Sequence, residues 1–163
     1  MTAEKAPGFL FRSAVVADAE QLFRWRNDPA TRAASLDSGE VAWSDHVAWL
    51  TRSLASENRR LLVAELDGQP VGTVRFDRQE AEWEMSWTVA PERRGQGLGG
   101  RMVRAAAENF GAPLSAVVLS GNVASRKIAA AAGFVQVEVT ADRTFWKHPG
   151  RSPRGAMRRE EEV

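Results

Sequence analysis

The stretch Val89-Ala90-Pro91-Glu92-Arg93-Arg94-Gly95-Gln96-Gly97-Leu98-Gly99-Gly100 separates two segments of different periodicity. Before it, Trp83, Met85, Trp87 and Val89 alternate with Glu82, Glu84, Ser86 and Thr88, the period of two expected of a strand with one apolar face. After it, Leu98, Met102, Ala105, Ala106 and Phe110 recur at helical spacing until Gly111 and Pro113 end the run. A glycine-rich link from a strand to a helix N-terminus is an anion site. The first N–H groups of the helix lack partners, the dipole is positive there, and glycine leaves room for a phosphate. Arg94 adds a positive charge.

Working outward, Leu61 to Leu66 and Val71 to Phe76 read as strands joined through the hairpin turn Asp67-Gly68. Further upstream, Phe9 to Ala14 is a strand. Asp18-Ala19-Glu20-Gln21 reads as a capping box opening a helix with Ala19, Leu22 and Phe23 on one face, ended by Asp28-Pro29. Ser44 caps a second helix carrying Val47, Leu50 and Leu54. Downstream, Ser115 to Ser120 is a strand, and Gly121 or Asn122 opens an alanine-rich helix that stops at Gly133. Phe134 to Thr140 and Thr144 to Lys147 are the closing strands. The order βααβββαβαββ predicts an α/β chain of the α+β type, a mixed sheet with helices on both faces. Residues 1–148 form one domain, and Pro149 to Val163, polar and aperiodic, is expected to be a disordered tail.

Composition narrows the function. With 22 Lys and Arg against 21 Asp and Glu, the net charge of +1 argues against a general nucleic-acid binder. The absence of cysteine removes disulfides and thiolate nucleophiles, and His46 and His148 lie too far apart in sequence to suggest a metal site. No apolar run spans a bilayer and no leader pattern opens the chain, so a cytoplasmic protein that avoids membranes is expected, as a monomer or homodimer.

Gly95, Gly97 and Gly100 also satisfy the G-x-G-x-x-G spacing of dinucleotide-binding folds. That motif follows an early strand and precedes an acid by about 20 residues. Here a βαα unit and a hairpin come first, and Ser120-Gly121-Asn122 stands in place of the acid. A further alternative is that the glycines serve only close helix packing.

The stretch Val89-x-Pro91-x-x-Arg94-Gly95-x-Gly97-x-Gly99 resembles the central acetyl-CoA motif of the GNAT superfamily, and Asn122-x-x-Ser125 with Gly133-Phe134 resembles its second motif. The resemblance covers about residues 9 to 148. It implies the GNAT fold, with a mixed, mostly antiparallel central sheet, and acetyl-CoA as acetyl donor to an amine. It assigns cofactor contacts to the strand backbone at Trp87 and Val89, to Arg94, Gly95, Gln96, Gly97, Leu98 and Gly99 at the pyrophosphate, and to Asn122 and Ser125 at the pantetheine arm. Many members carry a tyrosine acid seven residues after the asparagine. This chain has Ala129 there and no tyrosine anywhere.

Transfer from a thioester to an amine needs a neutral nitrogen and a proton for the departing thiolate. Deprotonating a lysine-like amine at neutral pH costs ~4.6 kcal/mol, an α-amine only about 1.4 kcal/mol, so a modest base acting through water suffices for the second. Glu84 and Glu82 are the candidate bases, and resemblance to members with a glutamate here favours Glu84. Both also fit a solvated strand face. His46 is a weaker candidate, since a histidine in a first helical turn is usually solvated. Without the tyrosine, Ser125 or a water is the candidate acid.

Phe23-Arg24-Trp25-Arg26-Asn27-Asp28-Pro29 is similar to the GNAT branch with nucleotide-linked amino-sugar and ribosomal-protein N-terminal acetyltransferases. Trp25, Arg26, Asn27 and Arg75 are the candidate substrate-binding residues, arginines for phosphates and an indole for a base. A small-molecule amine ranks first as acceptor and a protein α-amine second, with a non-catalytic acyl-CoA-binding module as the alternative.

Overall fold

The computed structural model describes residues 8–150 together with the strand Glu4–Ala6. After β1 (Glu4–Ala6) and β2 (Phe9–Ser13) come three helices, α1 (Ala19–Asn27), α2 (Pro29–Ala34) and α3 (Trp43–Ala55). The meander β3 (Arg59–Leu66), β4 (Gln69–Arg78), β5 (Trp83–Val89) follows, then α4 (Leu98–Phe110), β6 (Leu114–Leu119), α5 (Val123–Ala131), β7 (Val135–Val139) and β8 (Arg143–His148). The eight strands form one sheet in the order β1-β2-β3-β4-β5-β6-β8-β7. Every neighbouring pair is antiparallel except β5 with β6, giving the mixed, mostly antiparallel sheet expected.

Period-two patterning decides what each face buries. Val74, Phe76 and Met85 point to one side and pack with Leu98, Met102, Val103 and Ala106 of α4. Trp83, Trp87 and Val89 join that cluster as partly buried members, as their alternation requires. Leu61 and Val63 point to the other side and pack with Leu22, Trp25 and Leu50 from α1 and α3. The β3–β4 hairpin turns at Asp67 (φ 51°) and Gly68 (φ 79°), both left-handed, as a two-residue primed turn demands.

Four local expectations are corrected. Asp18 does not cap α1: its carboxylate accepts from Arg12 Nη1 and Nη2 at 2.8 Å each and from the Val15 N–H at 2.8 Å, and a short 3-10 turn precedes the helix. Burial pushes the Asp18 pKa up, yet the Arg12 and Val15 bonds bring it below the usual value. Asp28-Pro29 ends α1 but also starts α2, because Asp28 accepts from the Thr31 N–H at 3.1 Å and Pro29 takes the first position, where proline costs no hydrogen bond. In α3 the N-cap is Ala42, with Ser44 already inside the first turn, and the buried residues are His46, Leu50 and Ser53, leaving Leu54 36% exposed. Phe23 explains that rotation, since its ring meets Trp43 at 5.1 Å and His46 at 5.3 Å and draws that side inward. Finally, the folded unit reaches Gly150, which is buried and whose N–H donates to His148 Nδ1 at 3.0 Å. The rest of the expected tail, 151–163, lies outside the described residues. Among the described residues, no helix is long and apolar enough to cross a membrane.

Candidate active site

The site begins where the one parallel ladder stops. β5 and β6 pair only at Trp83↔Leu114 and Glu84↔Ser115, then diverge. Each stays bonded on its outer side, β5 to β4 as far as Gly72↔Val89 and β6 to β8 as far as Leu119↔Arg143, so only one edge of each strand loses its ladder. A cavity of about 330 Å³ opens in the gap. Met85 to Thr88 and Val117 to Leu119 form its floor, and Asn122 and Ser125 stand at one end. Trp25, Arg26, His46 and Arg75 also line it, with the segment from Ala34 to Gly39.

The four glycines of the loop have two different jobs. Gly95 (φ 76°) and Gly97 (φ 70°) occupy the left-handed region, and a Cβ added to either would meet nothing within 4 Å. Gly99 and Gly100 are packing positions. A Cβ on Gly99 would come within 2.5 Å of Ile128 Cδ1, and one on Gly100 within 3.1 Å of Ala131 Cβ, so they let α4 lie against α5. Gly97 is also the N-cap of α4 and supplies no side-chain bond to the first N–H groups of the helix. That arrangement fits a pyrophosphate at Gly95 to Leu98. Gly99, expected at the pyrophosphate, is buried.

Arg94 lies beside this loop with its guanidinium already engaged. Nη1 donates to Asp28 Oδ2 at 2.9 Å and Nη2 donates to the Thr31 hydroxyl. The Arg94 bond is the main reason the Asp28 carboxyl sits below its ordinary pKa. Asn122 caps α5, accepting from the Ser125 N–H at 3.1 Å, while its Nδ2 donates to the Ala34 carbonyl at 3.3 Å. Both loop motifs thus reach across to α2. Ser125 lines the cavity, whereas Ala129 is fully buried in the α4 core and outside the lining.

On β5, Glu84 shares a sheet face with Ser86 and Thr88, as the alternation predicts. Ser86 and Thr88 line the cavity, but Glu84 sits one step back, at the last paired position opposite Asp77 and Ser115. Glu82 precedes the strand and accepts from Lys147. His46 is not solvated. It is 1% exposed, burial pushes its pKa down, and Nε2 lies 2.8 Å from the Ala19 carbonyl. The neutral ring therefore carries its proton on Nε2, and Nδ1 is left buried without a partner. The signal available in the sequence was its position three residues after Trp43 and three before Trp49, on one aromatic stripe.

The four predicted substrate residues separate. Trp25 is 2% exposed with Nε1 unpartnered, and it lines the cavity with Arg26 and Arg75. Asn27 does not line it: its amide donates to the Val41 carbonyl at 2.8 Å and accepts from the Val41 N–H at 2.8 Å, which holds the 35–41 segment against α1. Arg75 and Arg59 share Asp77, at 2.9 Å and 2.6 Å. Thr31, Thr73 and Ser86 line the cavity without having been singled out, since isolated hydroxyls carry no sequence signal.

The parallel strand pair thus parts between a bare glycine loop and a side cavity. The model of the GNAT acetyltransferase domain matches residues 9–135. The chain belongs to the GNAT family and is an acetyl-CoA-dependent N-acetyltransferase. Its fold is similar to that of spermidine N-acetyltransferase from Vibrio cholerae, solved with CoA and spermine (TM-score 0.77, 13% identity, 86% of this chain and 95% of that one). It is also similar to RimL, a ribosomal-protein α-N-acetyltransferase solved with coenzyme A (0.76, 13%, 91% and 98%), and to an aminoglycoside acetyltransferase solved with coenzyme A (0.74, 19%, 93% and 98%). No curated protein matches the chain.

Proposed function

We propose that the protein acetylates the primary amine of a small molecule in the cytoplasm, with a nucleotide-linked amino-sugar as the leading acceptor. The observation that carries this reading is the walled cavity at the β5–β6 split. Ser125 and the free edge of β5 form one end, and α1, α3 and the 35–41 segment, clamped through Asn27 and Val41, form the other. The neighbours are named for a polyamine, for aminoglycosides and for a ribosomal protein, so the shared fold does not select among amines.

Acetyl-CoA supplies an acetyl group activated as a thioester. Gly95, Gln96, Gly97 and the α4 N-terminus bind the pyrophosphate through N–H groups. The unpaired β5 edge at Trp87 and Val89, with Asn122 and Ser125, lines up the pantetheine arm. Glu84 accepts the acceptor ammonium proton through a water, since its carboxylate stands one step behind the cavity. The amine nitrogen then forms the C–N bond as the C–S bond breaks, and the proton that nitrogen sheds on becoming an amide passes through water and the Ser125 hydroxyl to the thiolate. Trp25, Arg26 and Arg75 hold the acceptor, while Asn27 holds the segment above it.

The test is thiol release from acetyl-CoA with a panel of amines that includes a nucleotide-linked amino-sugar and a peptide with a free α-amine. Amine-dependent release on small molecules supports the reading. Release with the peptide alone would move the acceptor to a protein N-terminus.

A further inference from the structure

Resting on the small-molecule reading above, we infer that the acceptor carries a compact oxyanion, a carboxylate or phosphate, and that Arg26 and Arg75 hold it. The charged side chains lining the cavity are Arg26, Arg75 and Asp37. Asp77 is shared by Arg75 Nε and Arg59 Nε, one on each oxygen, so its single negative charge already faces two guanidiniums. Arg26 adds a third, over the Trp49 ring at 5.6 Å. Among the described residues Arg75 Nη1 and Nη2 and the whole Arg26 guanidinium have no hydrogen-bond acceptor, although both residues line the cavity.

Burial pushes the Arg75 pKa down, Asp77 opposes that, and Arg59 and Arg26 push it further down. This is the condition of a desolvated cation short of negative charge, which an incoming oxyanion relieves. The same wall adds another unmet donor, Trp25 Nε1. The carboxylate lining the cavity is that of Asp37, which is exposed and accepts from the Gly39 N–H at 3.1 Å. The uncharged His46, whose Nδ1 has no partner, offers a lone pair but no negative charge.

The selection therefore runs against polycations. A polyamine or an aminoglycoside would bring second and third ammonium groups to a wall carrying Arg26 and Arg75, where Asp77 is already shared by two arginines and Asp37 is exposed. An acceptor whose far end is an oxyanion places that end on the guanidiniums and its amine toward Ser86 and the β5 edge.

The experiment compares ethanolamine, O-phosphoethanolamine, β-alanine, spermidine and a nucleotide-linked amino-sugar by thiol release, in the parent and in Arg26→Gln and Arg75→Gln. An oxyanion-bearing amine should exceed ethanolamine in kcat/KM by about tenfold or more. Each variant should erase that advantage by raising KM for the anionic amines about tenfold more than for ethanolamine, with acetyl-CoA affinity unchanged. Which of the three anionic amines wins distinguishes a free phosphate, a carboxylate and a nucleotide diphosphate. Spermidine or ethanolamine matching the best of them, or variants that slow all amines alike, would overturn the inference. If no amine releases thiol, the small-molecule reading fails, and the subsite is judged by calorimetry with O-phosphoethanolamine on the CoA-loaded protein. Absent or arginine-independent binding there would overturn it too.

Discussion

The Arg94 guanidinium donates to the Asp28 carboxylate at 2.9 Å and so fastens the cofactor loop to the first turn of α2. Asn122 makes the matching tie from α5 to the far end of α2 through the Ala34 carbonyl. The glycine loop and α5 are thus each tied to α2. If Arg94 must leave Asp28 to reach a pyrophosphate, then Asp28→Asn, which keeps the cap on Thr31, should tighten acetyl-CoA binding by about two- to fivefold, the range of a partly exposed ion pair. Arg94→Gln should weaken it. Calorimetric titration decides, and an unchanged Kd in Asp28→Asn would mean that Arg94 serves α2 alone.

Gly97 is left-handed with open space around it, so shape and not room makes glycine necessary. Gly97→Ala should weaken acetyl-CoA binding through ~1–2 kcal/mol of backbone strain, and Gly97→Asn, which tolerates that region better, should recover part of the loss. Equal Kd values for all three proteins would remove the loop from the pyrophosphate.

Glu84→Gln keeps the side chain's shape and removes its basicity. A fall in kcat of ~10²-fold is expected, greatest below the acceptor's pKa. A pH–rate profile that overlays the parent's would leave Glu84 as a solvated carboxylate at the end of the ladder.

Ser125 lines the cavity, whereas Ala129 is sealed in the core, and in the proposed mechanism the serine serves the thiolate. Ser125→Ala should lower kcat with little change in KM for acetyl-CoA. The reverse pattern, a raised KM at constant kcat, would make Ser125 a binding contact and leave the proton to water.

His46 and His148 are both buried, and desolvation holds both below the usual value of 6.5. In the pH interval between their folded values and about 6.5 the unfolded chain binds more protons. Their contribution is therefore complete above about pH 6.5 and is lost as pH falls below it. The urea midpoint should drop between about pH 7.5 and about pH 5, and drop less in His46→Gln. An identical drop in the variant would show that His46 does not contribute to the acid response.

Much of the fold was readable along the chain because its signals are short-ranged. Period two in Trp83 to Val89, helical spacing from Leu98 to Phe110 and the Asp67-Gly68 turn each depend on neighbours a few residues apart, and all three stand as read. The glycine loop was legible for the same reason, because a left-handed backbone at Gly95 and Gly97 is a local property.

The rest depended on contacts between segments far apart in sequence. Phe23 turned α3 so that His46 went inside. Ile128 and Ala131 gave Gly99 and Gly100 a packing role that spacing alone could not separate from that of Gly95 and Gly97. Arg12 took Asp18 from its helix, and Val41 took both ends of the Asn27 amide. The charge of the cavity arises only when β3, β4 and α1 bring Arg59, Arg75, Asp77 and Arg26 together. Backbone periodicity is written within a few residues, whereas the partner that satisfies a buried polar group is chosen by three-dimensional proximity, and at Asp18, Asn27 and Arg94 that choice set the role of the side chain.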